Sequence, residues 1–134
     1  QPEAKRKRFL QMKLALDWLI DTYPLCFNKN EPKPLKRRIE KDVFAELPEE
    51  LPFSRLSIRE AIAYYTRSPK YRQALIDNSH RYDLQGEEIE EILPKHQQLA
   101  QDQLIKFSER QKARAGTKKQ LSKNQQIRSK KIPD

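Results

Sequence analysis

The stretch D-N-S-H-R-Y-D-L-Q-G-E-E-I-E, residues 77–90, decides the fold. Tyr82 and Leu84 alternate with Arg81 and Asp83, the two-residue period of a strand with one covered face. Gln85-Gly86 then offers a tight turn. This stretch predicts a short β-hairpin. Around it the apolar residues recur at three- and four-residue spacing, so the chain reads as mainly α, about five helices with one hairpin.

Just upstream lies T-R-S-P-K-Y-R-Q-A-L, residues 66–75. Ser68 followed by Pro69 is a helix start, a hydroxyl to cap and a ring whose missing N–H is not needed there. Arg67, Lys70 and Arg72 crowd that start, although a helix N-terminus favours negative charge. Free N–H groups with added cations make a ready phosphate site. The same residues also read as a plain cap with solvated side chains.

Farther upstream, Lys5–Arg8 is a basic N-terminal extension over residues 1–8, and Phe9 to Tyr23 reads as a helix. Lys13, Asp17 and Asp21 form one polar stripe. Leu10, Leu14, Leu16, Trp18, Leu19 and Ile20 cover most of the rest, which predicts deep packing. Pro24 ends this helix, and Cys26 and Phe27 are expected to plug the core. After the loop N-K-N-E-P-K-P, a second helix is expected over Leu35 to Leu47, with Lys36, Arg37, Arg38 and Lys41 on its outer side. Ser54 caps a third helix to Thr66, with Ser57 and Glu60 as an alternative capping box. Ile58, Ile62 and Tyr65 face inward there, beside an edge of Arg55, Arg59 and Ala63. Pro94 opens a last helix with Leu99, Ala100, Leu104 and Phe107 on its apolar side. Residues 111–134 hold eight Lys or Arg and one acid, Asp134, without periodicity, the composition of a disordered basic tail.

Bulk properties narrow the function. The 134 residues carry a formal charge of +9, which makes a polyanion the first partner to consider. One cysteine and two histidines, His80 and His96, exclude a disulfide framework and argue against a structural zinc site. No run reaches the roughly 18 apolar residues of a membrane span. No secretory signal is visible, so a cytoplasmic location is expected. Gly86 and Gly116 are the only glycines, so no phosphate-cradling loop exists, and no carboxylate pair suggests acid–base catalysis. Neither an enzyme nor a cofactor is expected. Nothing resembling a heptad seam demands a dimer, and a monomer is the expectation.

Several pieces occur together in order: Y-P-L-C-F at 23–27, K-P-L-K at 33–36, S-x-x-x-x-R at 54–59, Y-T-x-S at 65–68, Lys70-Tyr71, and R-Y-D-L-x-G at 81–86. Together they resemble the ProQ/FinO family of bacterial RNA chaperones over about residues 9–110. Ala63, Pro69 and Arg72 depart from the family's pattern. The resemblance implies a compact helical domain with a short hairpin. It also implies binding of small RNAs and messenger 3′ regions at a terminator hairpin base and its single-stranded U-rich 3′ tail, in post-transcriptional regulation.

By that resemblance the family's pocket residues fall on Lys36, Arg59, Thr66, Ser68, Tyr71 and Arg81; of these, Lys36, Thr66, Ser68, Tyr71 and Arg81 are expected to hold the RNA 3′ end. Ser54, Arg55, Arg59, Arg67 and Lys70 would meet the adjoining duplex backbone. Tyr71 reads either as a core tyrosine or, with Leu75 supplying the packing, as a ring at the pocket edge for base stacking. Arg81 reads as a phosphate fork or as an ion pair with Asp83. The acidic run Glu87–Glu91 should repel RNA and is expected away from the binding face. The rival readings are a duplex-DNA module with Ser57–Thr66 as recognition helix, and a basic adaptor for an acidic protein or membrane.

Overall fold

Helix α1 (Pro2–Thr22) buries Met12, Ala15, Leu16 and Leu19, spaced i, i+3, i+4 and i+7 along one stripe. Leu10 and Leu14, expected inside, are 54% and 48% exposed. At 3.6 residues per turn they fall on the side opposite that stripe. The chain is described by a computed structural model over residues 2–130, with side chains from 3 to 115. The helix starts at Pro2, not Phe9, so Lys5–Arg8 is helical. Proline suits a first turn, and the Glu, Ala, Lys and Arg that follow are good helix formers. Arg8 is tied down by Glu60, with Nη2 2.7 Å from Oε1.

Helix α2 (Ile39–Ala45) buries Ile39 and Val43 and is shorter than the expected Leu35–Leu47. Leu35 is withheld from it because Pro34 to Lys36 pairs with the hairpin. Helix α3 (Arg55–Thr66) begins at Ser54, whose Oγ accepts from the Ser57 N–H at 3.2 Å, so the first of the two capping alternatives is the one formed. It buries Ser57, Ile58, Ala61 and Tyr65 and packs on α1. Helix α4 (Pro69–Asp77) has Ser68 as its cap and packs on α5 (Pro94–Lys130).

Strands β1 (His80–Tyr82) and β2 (Glu88–Glu91) pair antiparallel, as the opening stretch predicts. The register places His80 opposite Glu91, Arg81 opposite Glu90 and Tyr82 opposite Glu88, with a bulge between Arg81 and Tyr82. The turn is closed by Asp83, whose Oδ1 accepts from the Gln85 and Glu87 N–H groups. Gly86 sits at φ 79°, and a Cβ there would lie 2.9 Å from Leu25 Cβ. Both the backbone angle and the close approach require glycine.

The core joins α1, α3 and the loops around Cys26, Phe27 and Leu35. Cys26 is fully buried, and burial pushes its thiol up to about 12, the mark of an inert core cysteine. In α5, Ala100 is buried, while Leu99 is exposed and every side chain from 105 to 115 is exposed. Helix α5 continues through the basic segment as far as Lys130; residues 131–134, the end of the expected tail, lie outside the described residues. Gln, Lys, Arg, Ala and Leu dominate this segment and no proline occurs before Pro133, so intrinsic propensity favours a helix there. The resulting rod is about 55 Å long.

Candidate nucleic-acid interface

The site is organised around the backbone of Leu35. Tyr82 N–H donates to the Pro34 carbonyl at 2.8 Å, and Lys36 N–H donates back to the Tyr82 carbonyl at 2.9 Å. This parallel bridge docks residues 34–36 on the edge of β1. Between the two bonds, Leu35 N–H donates to Tyr71 Oη at 3.0 Å, and its carbonyl accepts from Arg81 Nη1 at 3.0 Å. Residues far apart in sequence therefore meet at the backbone of one residue.

Tyr71 is 4% exposed, and its ring lies 5.7 Å from that of Tyr65. The expected pocket-edge ring is corrected: Leu75 is only partly buried, and Tyr71 is the residue that fills the core, where no base can stack on it. Burial raises its phenol, against the opposing effects of the Leu35 amide and the Arg81 charge, and the hydroxyl stays protonated. Having accepted from Leu35, that hydroxyl still carries a proton to donate.

Arg81 does not pair with Asp83, whose carboxylate serves the hairpin turn. Its second amino group, Nη2, lies 3.3 Å from His96 Nδ1. A guanidinium is only a donor, so Nδ1 must be unprotonated to take part. His96 accordingly titrates below its ordinary value, through partial burial first and then the charges of Arg81, Arg37 and Lys95.

The turn that follows Leu35 carries three cations in a row. Lys36 Nζ is 2.9 Å from Asp42 Oδ2, and this partner raises its pKa. Arg37 and Arg38 are exposed. Arg38 holds the left-handed conformation, φ 61° and ψ 36°, at the N-cap of α2. A side chain there costs about 1–2 kcal/mol relative to the ordinary regions. Lys36, Arg37, Arg38, Ile89 and Glu90 line an open cleft of about 550 Å³. Glu90 Oε1 accepts from the Arg37 N–H at 3.2 Å. The acidic run is thus not wholly remote from the cations: the cross-strand register with Arg81 turns Glu90 into their midst, while Glu87, Glu88 and Glu91 are exposed.

The helix start at Ser68 is a different place. Ser68 Oγ accepts from Tyr71 N–H at 3.2 Å and donates to the Tyr65 carbonyl at 2.9 Å. Thr66 Oγ1 donates to the Ala63 carbonyl at 3.1 Å. Both hydroxyls serve their own helices. Ser68 and Lys70 line a second cleft, of about 250 Å³, together with Lys13, Lys29, Asn28 and Tyr64. Arg67 is exposed at the end of α3.

On α3, Arg55 and Arg59 lie over the Phe44 ring, at 5.6 and 5.4 Å from its centroid, and Ser54 is occupied as the cap. Arg59 also faces Glu40 across a third cleft. Of the residues expected at the 3′ end, the structure brings Lys36, Tyr71 and Arg81 together. Arg37, Arg38, Glu90 and His96 join them, and only the cations among these had a signal in sequence, as part of the outer face of the expected second helix.

A family model described as the ProQ/FINO family matches residues 9–120. The chain belongs to this family. Among curated relatives, the RNA chaperone ProQ of Idiomarina loihiensis is 31% identical over 112 residues, covering 80% of this chain and 54% of the relative. That of Alteromonas mediterranea is 30% identical over 125 residues, covering 92% of this chain and 54% of the relative. The chain thus spans about half the length of the curated ProQ/FinO relatives it matches.

Two solved ProQ/FinO structures are similar. A ProQ homolog from Legionella pneumophila, determined by NMR, superposes with TM-score 0.59 at 34% identity, covering 72% of this chain and 81% of that one. A FinO-like RNA chaperone from Neisseria meningitidis, a crystal structure, gives TM-score 0.62 at 27% identity, with 81% and 85% covered. No described helix is long and apolar enough to cross a membrane.

Proposed function

We propose that this ProQ/FinO domain is an RNA-binding module of an RNA chaperone. It takes the single-stranded U-rich 3′ end of a terminator-type hairpin at the Leu35 hinge. One observation carries the reading: Arg81 and the Tyr71 hydroxyl meet at the backbone of Leu35, next to the Lys36–Arg38 turn that lines an open cleft. The names of its relatives and the +9 charge support the same conclusion.

In this reading Arg81 and the Tyr71 hydroxyl donate to the terminal phosphodiester, and Lys36 leaves Asp42 to do the same. Thr66 and Ser68 act by holding the start of α4, and so the Tyr71 hydroxyl, in place. Arg55, Arg59, Arg67 and Lys70, with Ser54 capping α3, meet the duplex backbone. Those contacts read shape and charge, since A-form RNA hides its base edges in a deep groove. The partners are small RNAs and messenger 3′ regions, the domain acts as a monomer, and the compartment is the cytoplasm.

The test is a titration at fixed near-physiological salt, because salt alone moves such affinities steeply. A terminator hairpin with a free U-rich 3′ tail is compared with the same hairpin blocked by a 3′-phosphate and with a matched DNA duplex. The free-ended RNA is expected to bind at least about tenfold tighter. Arg81→Ala should weaken it by about ten- to a hundredfold, the loss of a charge-assisted hydrogen bond. Equal binding of all three ligands would leave only bulk charge as the basis of recognition.

A further inference from the structure

A carboxylate in the middle of a phosphate-binding cleft is out of place unless it has a purpose. Glu90 lines the cleft with Lys36, Arg37 and Arg38, directly opposite Arg81 in the hairpin register. Its charge is felt at Lys36, but none of those cations pairs with it directly. Lys36 pairs with Asp42 instead, and Arg81 donates to the Leu35 carbonyl and faces His96. Arg37 reaches Glu90 through its backbone N–H, not its guanidinium. Among the described residues, no ion pair within 4.0 Å engages Glu90. One oxygen is thereby fixed by a neutral donor, and the carboxylate keeps most of its accepting capacity toward the cleft.

Such a group cannot receive a phosphate, which has no proton to give and carries the same charge. It can receive hydroxyls. Cations for a phosphodiester beside a carboxylate for hydroxyls is the pattern that suits a ribose next to its phosphate. An acidic residue reads the ribose 2′-hydroxyl in dinucleotide-binding folds by the same chemistry. The 2′-hydroxyl is also what separates RNA from DNA at a given site.

We infer that Glu90 accepts from the 2′,3′-diol of the terminal nucleotide, and so selects a free RNA 3′ end against a 3′-phosphorylated or deoxyribose end. This rests on the 3′-end reading above and names the residue that enforces it.

Four RNAs of one hairpin sequence test this at fixed salt: a free 3′ end, a 3′-phosphate, a 2′,3′-dideoxy end, and a circular form with no end. Glu90→Gln keeps an oxygen for the Arg37 amide and for hydroxyls but removes the charge. It should weaken the free-ended RNA severalfold, because the hydroxyl bonds lose their charge assistance, and tighten the 3′-phosphate form by about fivefold. That is the size of one like-charge contact about 4 Å apart in aqueous surroundings. Glu90→Ala should weaken the free-ended RNA and erase its advantage over the dideoxy form.

The proposal is overturned if Glu90→Gln leaves the ratio of free to phosphorylated ends unchanged while the circular RNA still binds poorly. If the wild-type chain binds the circular RNA as well as the free-ended one, the 3′-end reading itself fails and the role of Glu90 falls with it.

Discussion

The start of α4 and the Leu35 hinge invite comparison, because by sequence they belong to one site and in the structure they behave oppositely. At α4 the hydroxyls of Thr66 and Ser68 are satisfied within three residues of themselves. At the hinge, the Leu35 N–H finds its partner 36 residues away and the carbonyl 46 residues away. A local motif completes itself and needs no ligand. A hinge clamped from a distance leaves its flanking side chains, Arg37 and Arg38, exposed. The difference teaches that a polar cluster in sequence is a poor guide to a binding site until its local hydrogen bonds have been accounted for.

The largest expected effect separates the two roles of Tyr71, the residue shared by both regions. Tyr71→Ala should cost about 3–5 kcal/mol of stability, the range for emptying a buried aromatic site. Tyr71→Phe should cost only about 1 kcal/mol while still weakening RNA binding. Chemical denaturation alongside RNA titration reads both. A phenylalanine variant with unchanged RNA affinity would reduce Tyr71 to a core residue.

A smaller effect is expected at the other region. Ser68→Ala should cost about 1 kcal/mol through loss of the cap, measured by the shift of the denaturation midpoint. At a temperature where the variant is fully folded, RNA affinity should fall only slightly, because core packing still holds the Tyr71 ring in place. A large loss of affinity there would return the helix start to the binding site and dissolve the contrast.

The smallest effect sharpens the hinge. Arg38→Gly relieves the left-handed backbone at an N-cap that accepts glycine, so it should stabilise the fold by up to about 1 kcal/mol. It also removes a cation, and the log–log salt slope of RNA binding should flatten by about 0.7–0.9. Stability and binding then move in opposite directions, which is the sign of a residue retained in a strained position at a binding site.

Much of the fold was legible because its signals are local. Ser54 and Ser68 begin helices where their hydroxyls reach an N–H three residues on, and Gly86 turns the hairpin. Other features needed the whole molecule. Leu10 and Leu14 are as apolar as Leu16 and Leu19, yet only the last two meet α3 and the core. The second helix lost its first turn to a strand-like bridge with Tyr82, a partner no periodicity announces.

From the sequence by itself come the helix starts, the hairpin turn, the +9 charge and the ordered motifs of the family, all set by residues within a few positions of one another. Only the tertiary structure decided that Tyr71 faces inward, that Arg81 passes over Asp83 to reach Leu35, and that Glu90 sits among the cations. Those outcomes depend on packing and on hydrogen bonds between distant segments. A backbone group left open by its neighbours takes whichever partner the fold brings within 3 Å, and that partner is written nowhere nearby in the chain.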